Sequence, residues 1–258
     1  MLLSKFFLTV VFGRIVMLEL KNISFEVTEG DKEIDIIRDL SLVIENKKFT
    51  VITGPNGSGK STLARIIAGI EKPSAGKIIL DGEDITDLSI TDRAKRGIGF
   101  AFQQPVRFKG IRIIDLLRLA SGRELSVASA CDYLSEVGLC ARDYIRREVN
   151  NSLSGGELKR IEIATVLARQ TKLTIFDEPE AGIDLWSFQN LIRIFEKMRD
   201  GIKDSSIIII SHQERILEIA DEIILLADGE IKERGSSAEV LPHILGTEAA
   251  MAPCSRWK

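Results

Sequence analysis

The sequence predicts an α/β fold: a core whose sheet is covered on both faces, interrupted by a helical insertion. Three observations lead there. The apolar runs in "KLTIFDEP" and "SSIIIIS" lack polar alternation, as strands covered on both faces do. Between about residues 103 and 160 the pattern turns helical, with spaced apolar positions in "IRIIDLLRLA" and "VASACDYLSEVGL". And a glycine-rich stretch, "GPNGSGKST" at 54–62, joins the apolar run 49–53 to the helical pattern 63–70.

Taken in order, "SKFFLTVVFGRIV" opens the chain with an apolar run too short to span a bilayer, and no small-residue cleavage site follows it. Met17 then begins "MLELKNISFEV", which reads as a strand. Residues 1–16 are therefore expected to be an upstream extension, with Met17 as the start. The strands "LELKNISFEV", "IIRDLSLVI" and "KKFTVIT" come next. After the glycine-rich stretch and its helix, "GKIILDGEDI" reads as a hairpin-like strand and turn. Beyond the helical segment, "DEIILLADGEIKERG" returns to strand, and residues 246–258 read as a tail. The expected domain is 17–245: a core at about 17–102 and 161–245, with the helical subdomain at about 103–160.

Composition narrows the function. With 45% hydrophobic and 28% charged residues the chain is globular, and a net charge of −3 argues against a dedicated nucleic-acid binder. Cys131, Cys140 and Cys254 are widely spaced and form neither a disulfide framework nor a CxxC knuckle. They read as reduced thiols in a cytoplasmic protein.

Gly54, four residues, then Gly59-Lys60-Ser61 is a phosphate-binding loop. Glycines let backbone N–H groups point inward and form a nest for anionic oxygens at a helix N-terminus. Lys60 reaches the β- and γ-phosphates, the Ser61 hydroxyl ligates Mg²⁺, and Thr62 bonds the α-phosphate. In "LTIFDEP" a buried strand places Asp177 and Glu178 at its C-terminal end, where α/β sheets bind ligands. Asp177 is expected to hold Mg²⁺ through water and Glu178 to polarise the attacking water. Adjacent carboxylates repel, so a cation is expected nearby.

"SLSGGELKR", just before a helical stretch and upstream of the acidic strand, completes an order that resembles the ATP-binding cassette (ABC) family. The resemblance runs over roughly 17–235 and implies a P-loop NTPase core of ABC type, a mixed sheet flanked by helices with an N-terminal antiparallel β-subdomain and an inserted helical subdomain, acting as a Mg²⁺-dependent ATPase. It assigns Gln103, in "GFAFQQP", to the glutamine loop that senses Mg²⁺ and the γ-phosphate; Gln104 is the adjacent candidate, and the spacing to Pro105 favours Gln103. His212 becomes the switch histidine on the γ-phosphate, and Asp184, in "EAGID", the D-loop aspartate that contacts a partner subunit. Phe25 falls where the family puts an aromatic that stacks on adenine, though it reads equally as a core strand residue. Gly54, Asn56, Gly57, Ser58, Gly59, Lys60, Ser61 and Thr62 then hold ATP. Ser154, Gly155 and Gly156 face the triphosphate of a second copy, so ATP joins two chains and hydrolysis releases them.

Peripheral stretches resemble the SufC-like ATPases of iron–sulfur cluster assembly: the passage from "GKIILDGEDI" through "FQQPV", then "LSGGELKRIEI" with Glu157 and "SHQERIL". Ser152-Leu153, Gln104 and Glu180-Ala181 depart from that group's pattern. This resemblance implies a SufB/SufD-like scaffold as partner. The alternative is an ATP-binding subunit docked on a membrane permease through residues 106–119, which would make the protein membrane-associated. A nucleotide-sensing module without turnover is disfavoured, because Glu178 and His212 are both present.

Overall fold

The computed structural model describes residues 10–11, 14–30, 32–203 and 205–251. Most of the expected extension at 1–16 lies outside them, but Val10–Val11 form β1, and β2 (Arg14–Glu29) begins upstream of Met17 because β-branched Ile15 and Val16 continue the strand. At the other end α9 (Ser237–Met251) runs into the expected tail, where "TEAAM" consists mostly of good helix formers. Cys254 lies outside the described residues.

Two sheets build the molecule. In the first, β2 pairs antiparallel with β3 (Lys32–Glu45), with β1 and with β5 (Ala75–Leu80), which turns back through the short β6 (Glu83–Asp84). The hairpin expected in "GKIILDGEDI" is this β5–β6 pair. The second sheet has the order β11-β10-β4-β9-β8-β7. Its strands β4 (Phe49–Thr53), β7 (Ile98–Ala101), β8 (Leu173–Asp177), β9 (Ser206–Ile210) and β10 (Glu222–Ala227) are mutually parallel, and β11 (Glu230–Gly235) closes one edge antiparallel to β10. The run "DEIILLADGEIKERG" is thus a hairpin, and β11 is only half-buried because its alternate residues face solvent.

Every residue of β4, β8 and β9 is buried. Alternation of side chains divides them between two cores. Phe49, Val51, Ile207 and Ile209 join the helical side, built on α3 (Ile113–Ser121), α4 (Val127–Glu136), α6 (Gly155–Arg169) and α7 (Leu185–Asp200). Ile52, Ile208 and Ile210 face the antiparallel sheet and α1 (Lys60–Ala68). Of the short helices, α2 (Ile90–Lys95) packs against β7 and α1, α5 (Ala141–Tyr144) against α4, and α8 (Glu214–Glu218) against α9.

One buried charge anchors the helix after the glycine-rich loop. Arg93 on α2 is 1% exposed and donates to the carbonyls of Ile66 (2.6 Å), Ile67 (2.9 Å), Thr86 (2.8 Å) and Leu88 (3.2 Å). The first two belong to the last turn of α1, where Ile66 O also accepts the N–H of the C-cap Gly69 at 3.1 Å. A lysine cannot reproduce this fork. Arg93→Lys is expected to lower stability by about 2 kcal/mol, read from denaturant unfolding; an unchanged midpoint would mean that the fork does not hold α1.

Candidate active site

The parallel strands end at one edge of the second sheet, and there the expected pieces meet. β4 runs into Gly54, β7 into Phe102 and Gln103, β8 into Asp177 and Glu178, and β9 into Ser211 and His212. The register Asp177↔Ile210 puts the acid pair beside the start of the histidine segment, and the Glu178 amide donates to Ile210 O at 3.0 Å.

In the loop, Gly54, Gly57 and Gly59 have φ of 145°, 79° and 95°. A Cβ at Gly54 would lie 1.8 Å from Leu226 O of β10, and one at Gly59 would lie 2.8 Å from Ile36 O of β3. The loop is therefore wedged between backbones that exclude side chains. Gly59 caps α1 without a side chain, which leaves first-turn N–H groups available to an anion. Lys60 is buried and donates to the carbonyls of Gly54 (2.9 Å) and Pro55 (2.8 Å), curling back over its own loop. Burial pushes its pKa down, while Glu178 and Asp177 oppose that. Ser58 Oγ is buried with no hydrogen-bond partner among the described residues.

Ser61 Oγ donates to Asp177 Oδ1 at 2.8 Å, so the two groups expected to share Mg²⁺ already touch. Burial pushes the Asp177 carboxyl up, Ser61 and Arg65 pull it down, and neighbouring Glu178 pushes it up again. A buried carboxylate beside a hydroxyl, with a second acid next to it, fits a hard, oxygen-seeking dication. Gln103 Nε2 donates to Glu178 Oε2 at 2.5 Å, which places the glutamine on the carboxylate expected to act on water. His212 is exposed, its Nε2 3.2 Å from Gln213 Nε2. Glu180, also buried, accepts from Ser211 Oγ at 2.5 Å. Phe25 lies on β2 opposite Ile37, whose side chain borders Gly59, and it is half-buried against the antiparallel-sheet core.

The "LSGG" turn opens α6. Ser154 is its N-cap and accepts from Glu157 N at 3.2 Å, while the Glu157 carboxylate accepts Ser154 N–H at 2.6 Å and the Tyr144 hydroxyl. This capping box uses the Ser154 N–H but leaves its O–H free to donate. No hydrogen bond among the described residues joins Ser154, Gly155 or Gly156 to the phosphate loop of the same chain. The turn lies instead against the start of α7, where the Asp184 carboxylate caps Trp186 N and Ser187 N, both at 3.0 Å, and takes Ser187 Oγ at 2.7 Å. A Cβ on Gly156 would come 2.4 Å from that tethered Ser187 Oγ and 2.8 Å from Ser187 Cβ. Gly156→Ala is expected to cost about 1–3 kcal/mol by overpacking. Ser187→Gly added to it should return part of that loss in thermal unfolding; strictly additive effects would deny the contact.

Three arrangements could not be foreseen from sequence motifs: the Arg93 fork, the Glu180–Ser211 bond, and a buried Lys159–Glu162 pair on α6. Only the last left a trace, as opposite charges three residues apart on one helix face.

Residues 37–181, more than half of the chain, match the family described as ABC transporter. The chain belongs to the ABC transporter family. It is 39% identical to the uncharacterized ABC transporter ATP-binding protein MJ0035 of Methanocaldococcus jannaschii, over 86% of this chain and 90% of that one. It is 33% identical to the sulfate/thiosulfate import ATP-binding protein CysA of Synechocystis sp., over 80% of this chain and 58% of that one. With the macrolide export ATP-binding/permease protein MacB of Bdellovibrio bacteriovorus the identity is 35%, over 84% of this chain and 33% of that one. The chain thus spans little more than half of CysA and a third of MacB. Among solved structures, the dimeric post-hydrolysis state of the ATP-binding cassette MJ0796 bound to ADP and Pi superposes with a TM-score of 0.76 at 25% identity, over 86% of this chain and 99% of that one. A second dimeric MJ0796 structure gives 0.77.

This ABC protein therefore has the mixed α/β P-loop fold expected, and it is an ATPase that uses ATP with Mg²⁺. The relatives leave one expectation unsupported. Those matched here carry the names of transporter ATP-binding proteins, so closeness to the SufC-like group does not follow from the peripheral motifs. "GGELKR" and "FQQP" surround parts shared across the family, and short flanks of that kind separate its branches poorly. Among the described residues no helix is long and apolar enough to cross a membrane.

Proposed function

We propose that this chain is the ATP-hydrolysing subunit of an ABC membrane transporter, working as a pair of copies at the cytoplasmic face of a permease. The observation that carries the reading is the convergence of phosphate loop, acid pair, glutamine and histidine on one sheet edge, in a chain whose named relatives are import and export ATP-binding proteins.

In this reading the core is about 17–102 with 161–245, and 103–160 is the helical lobe. Phe25 stacks on adenine at the rim of the antiparallel sheet. Backbone N–H groups of Asn56, Gly57, Ser58 and Gly59, with the side chains of Ser58 and Thr62, take phosphate oxygens. Lys60 exchanges its two loop carbonyls for the β- and γ-phosphates. Ser61, Asp177 and Gln103 hold Mg²⁺, which when bound neutralises charge on the β- and γ-oxygens. Glu178 orients the attacking water and receives its proton, and His212 bonds the γ-phosphate. The second copy presents its Ser154 hydroxyl and the free N–H groups of Gly155 and Gly156, backed by the positive end of α6. Asp184 holds the start of α7 beside that turn.

Val106, Phe108 and Leu119 are exposed on the stretch that follows the glutamine loop, as is Phe102 just before it, apolar side chains suited to a permease loop. A scaffold of the SufB/SufD kind would compete for it. Purification from membranes and cytosol with an ATP-loaded Glu178→Gln bait decides between them. A polytopic membrane protein is the expected companion, and a soluble β-rich scaffold would return the protein to cluster assembly.

A further inference from the structure

We infer that Lys159 and Glu162 are positioning residues that clamp the glutamine loop onto α6, so that the signature turn of one ATP site and Gln103 of the other move as one piece. The inference rests on the ATPase reading above. Its geometry is a closed network. Lys159, with its side chain 2% exposed, donates to Phe102 O at 2.7 Å, Gln103 O at 3.4 Å and Glu162 Oε2 at 2.8 Å. Phe102 N–H donates to the other oxygen, Glu162 Oε1, at 3.0 Å. All three ammonium protons and both carboxylate oxygens are thereby engaged.

The location gives the network its meaning. α6 starts at the Ser154 cap and Lys159 lies within its first two turns, so the clamp is rigidly joined to the "LSGG" turn. On the other side, the backbone it grips is that of Gln103, whose side-chain amide rests on Glu178 at 2.5 Å. An unbroken path therefore leads from a turn that meets the partner's nucleotide to the carboxylate that acts on this chain's own. Burying an ion pair here carries a desolvation cost, visible in the Glu162 carboxyl, which burial pushes up against the pull of Lys159. Apolar residues would fill the same space on α6 without that cost, but they could not hold a backbone N–H and two carbonyls in fixed register.

The test uses Lys159→Met, Glu162→Ala and the double variant in the full chain, with Glu162→Gln as a shape-preserving variant should alanine unfold the protein. In the nucleotide-free protein, amide exchange at Phe102 should quicken by about tenfold or more in Glu162→Ala, the loss expected for a bond to a charged group. ATP turnover should show kcat lowered by about tenfold with KM nearly unchanged. The double variant should be no worse than either single one, since each breaks the same clamp. Glu162→Gln, which keeps an acceptor for Phe102 N–H, should recover part of both effects. Unchanged exchange at Phe102 would overturn the clamp whatever the chain hydrolyses. Altered exchange with wild-type kcat would overturn its coupling role, and absence of turnover in the wild type would fault the ATPase reading while the exchange result still judges the clamp.

Discussion

Glu178→Gln lowers kcat for ATP hydrolysis by about 10²–10⁴-fold while nucleotide binding persists, the range ascribed to a single general base. The expectation follows from where the carboxylate is held. Glu178 leaves β8 with φ of 42°, a left-handed conformation uncommon outside glycine, and its amide is fixed to Ile210 O. That turn presents the side chain next to Asp177, which Ser61 Oγ bonds at 2.8 Å, the pair proposed to hold Mg²⁺, without making it part of that pair. Glutamine keeps the shape and still meets Gln103, but it cannot take a proton from water. In the proposed site binding falls to other groups, the loop amides and Lys60, so ATP affinity measured by calorimetry should change little. A variant that turns over like the wild type would remove Glu178 from the chemistry.

Gly54→Ala is expected to be the most damaging substitution in the loop. Its Cβ would sit 1.8 Å from Leu226 O and 2.9 Å from Leu226 C, both backbone atoms of a central strand that cannot swing aside. The residue also has φ of 145°, where side chains are strained. Overpacking and backbone strain together are worth about 3–5 kcal/mol. In a chain of this size that lowers Tm by roughly 6–20 °C. Gly57→Ala is the comparison: no atom lies within 4 Å of its Cβ, leaving only the strain of φ 79°, about 1–2 kcal/mol. If the two variants melt together, contact with β10 is not what demands glycine at 54.

The parts of the site readable in advance were those whose chemistry is local. "GPNGSGKST" encodes its turn and its helix start within nine residues, and unbroken apolar runs identify β8 and β9 as central strands. Because those strands are parallel, the residues that follow them share an edge, so Asp177, Glu178 and His212 could be placed near Gly54. What stayed hidden joins distant segments. Arg93 reads as an ordinary helix-surface residue until its carbonyl partners on α1 are seen. Glu180 reads as a solvated turn acid, yet it is buried against Ser211. The helix carrying the "LSGG" turn continues unbroken to Arg169, so α6 joins the proposed lobe to the core. Branch-level flanks carry less for another reason: they border parts shared across the family, and the chemistry they surround is the same in each.

The claim on which the account turns is that two copies close face to face, each serving the other's nucleotide. The most direct test is the mass of Glu178→Gln in solution, by light scattering across a concentration series, with and without Mg²⁺ and ATP. The account predicts a monomer without nucleotide and twice the monomer mass with Mg²⁺–ATP, lost again when Ser154→Arg fills the turn that meets the partner's phosphates. A Glu178→Gln protein that binds ATP yet stays monomeric at every concentration, alone and with its membrane companion, would contradict it.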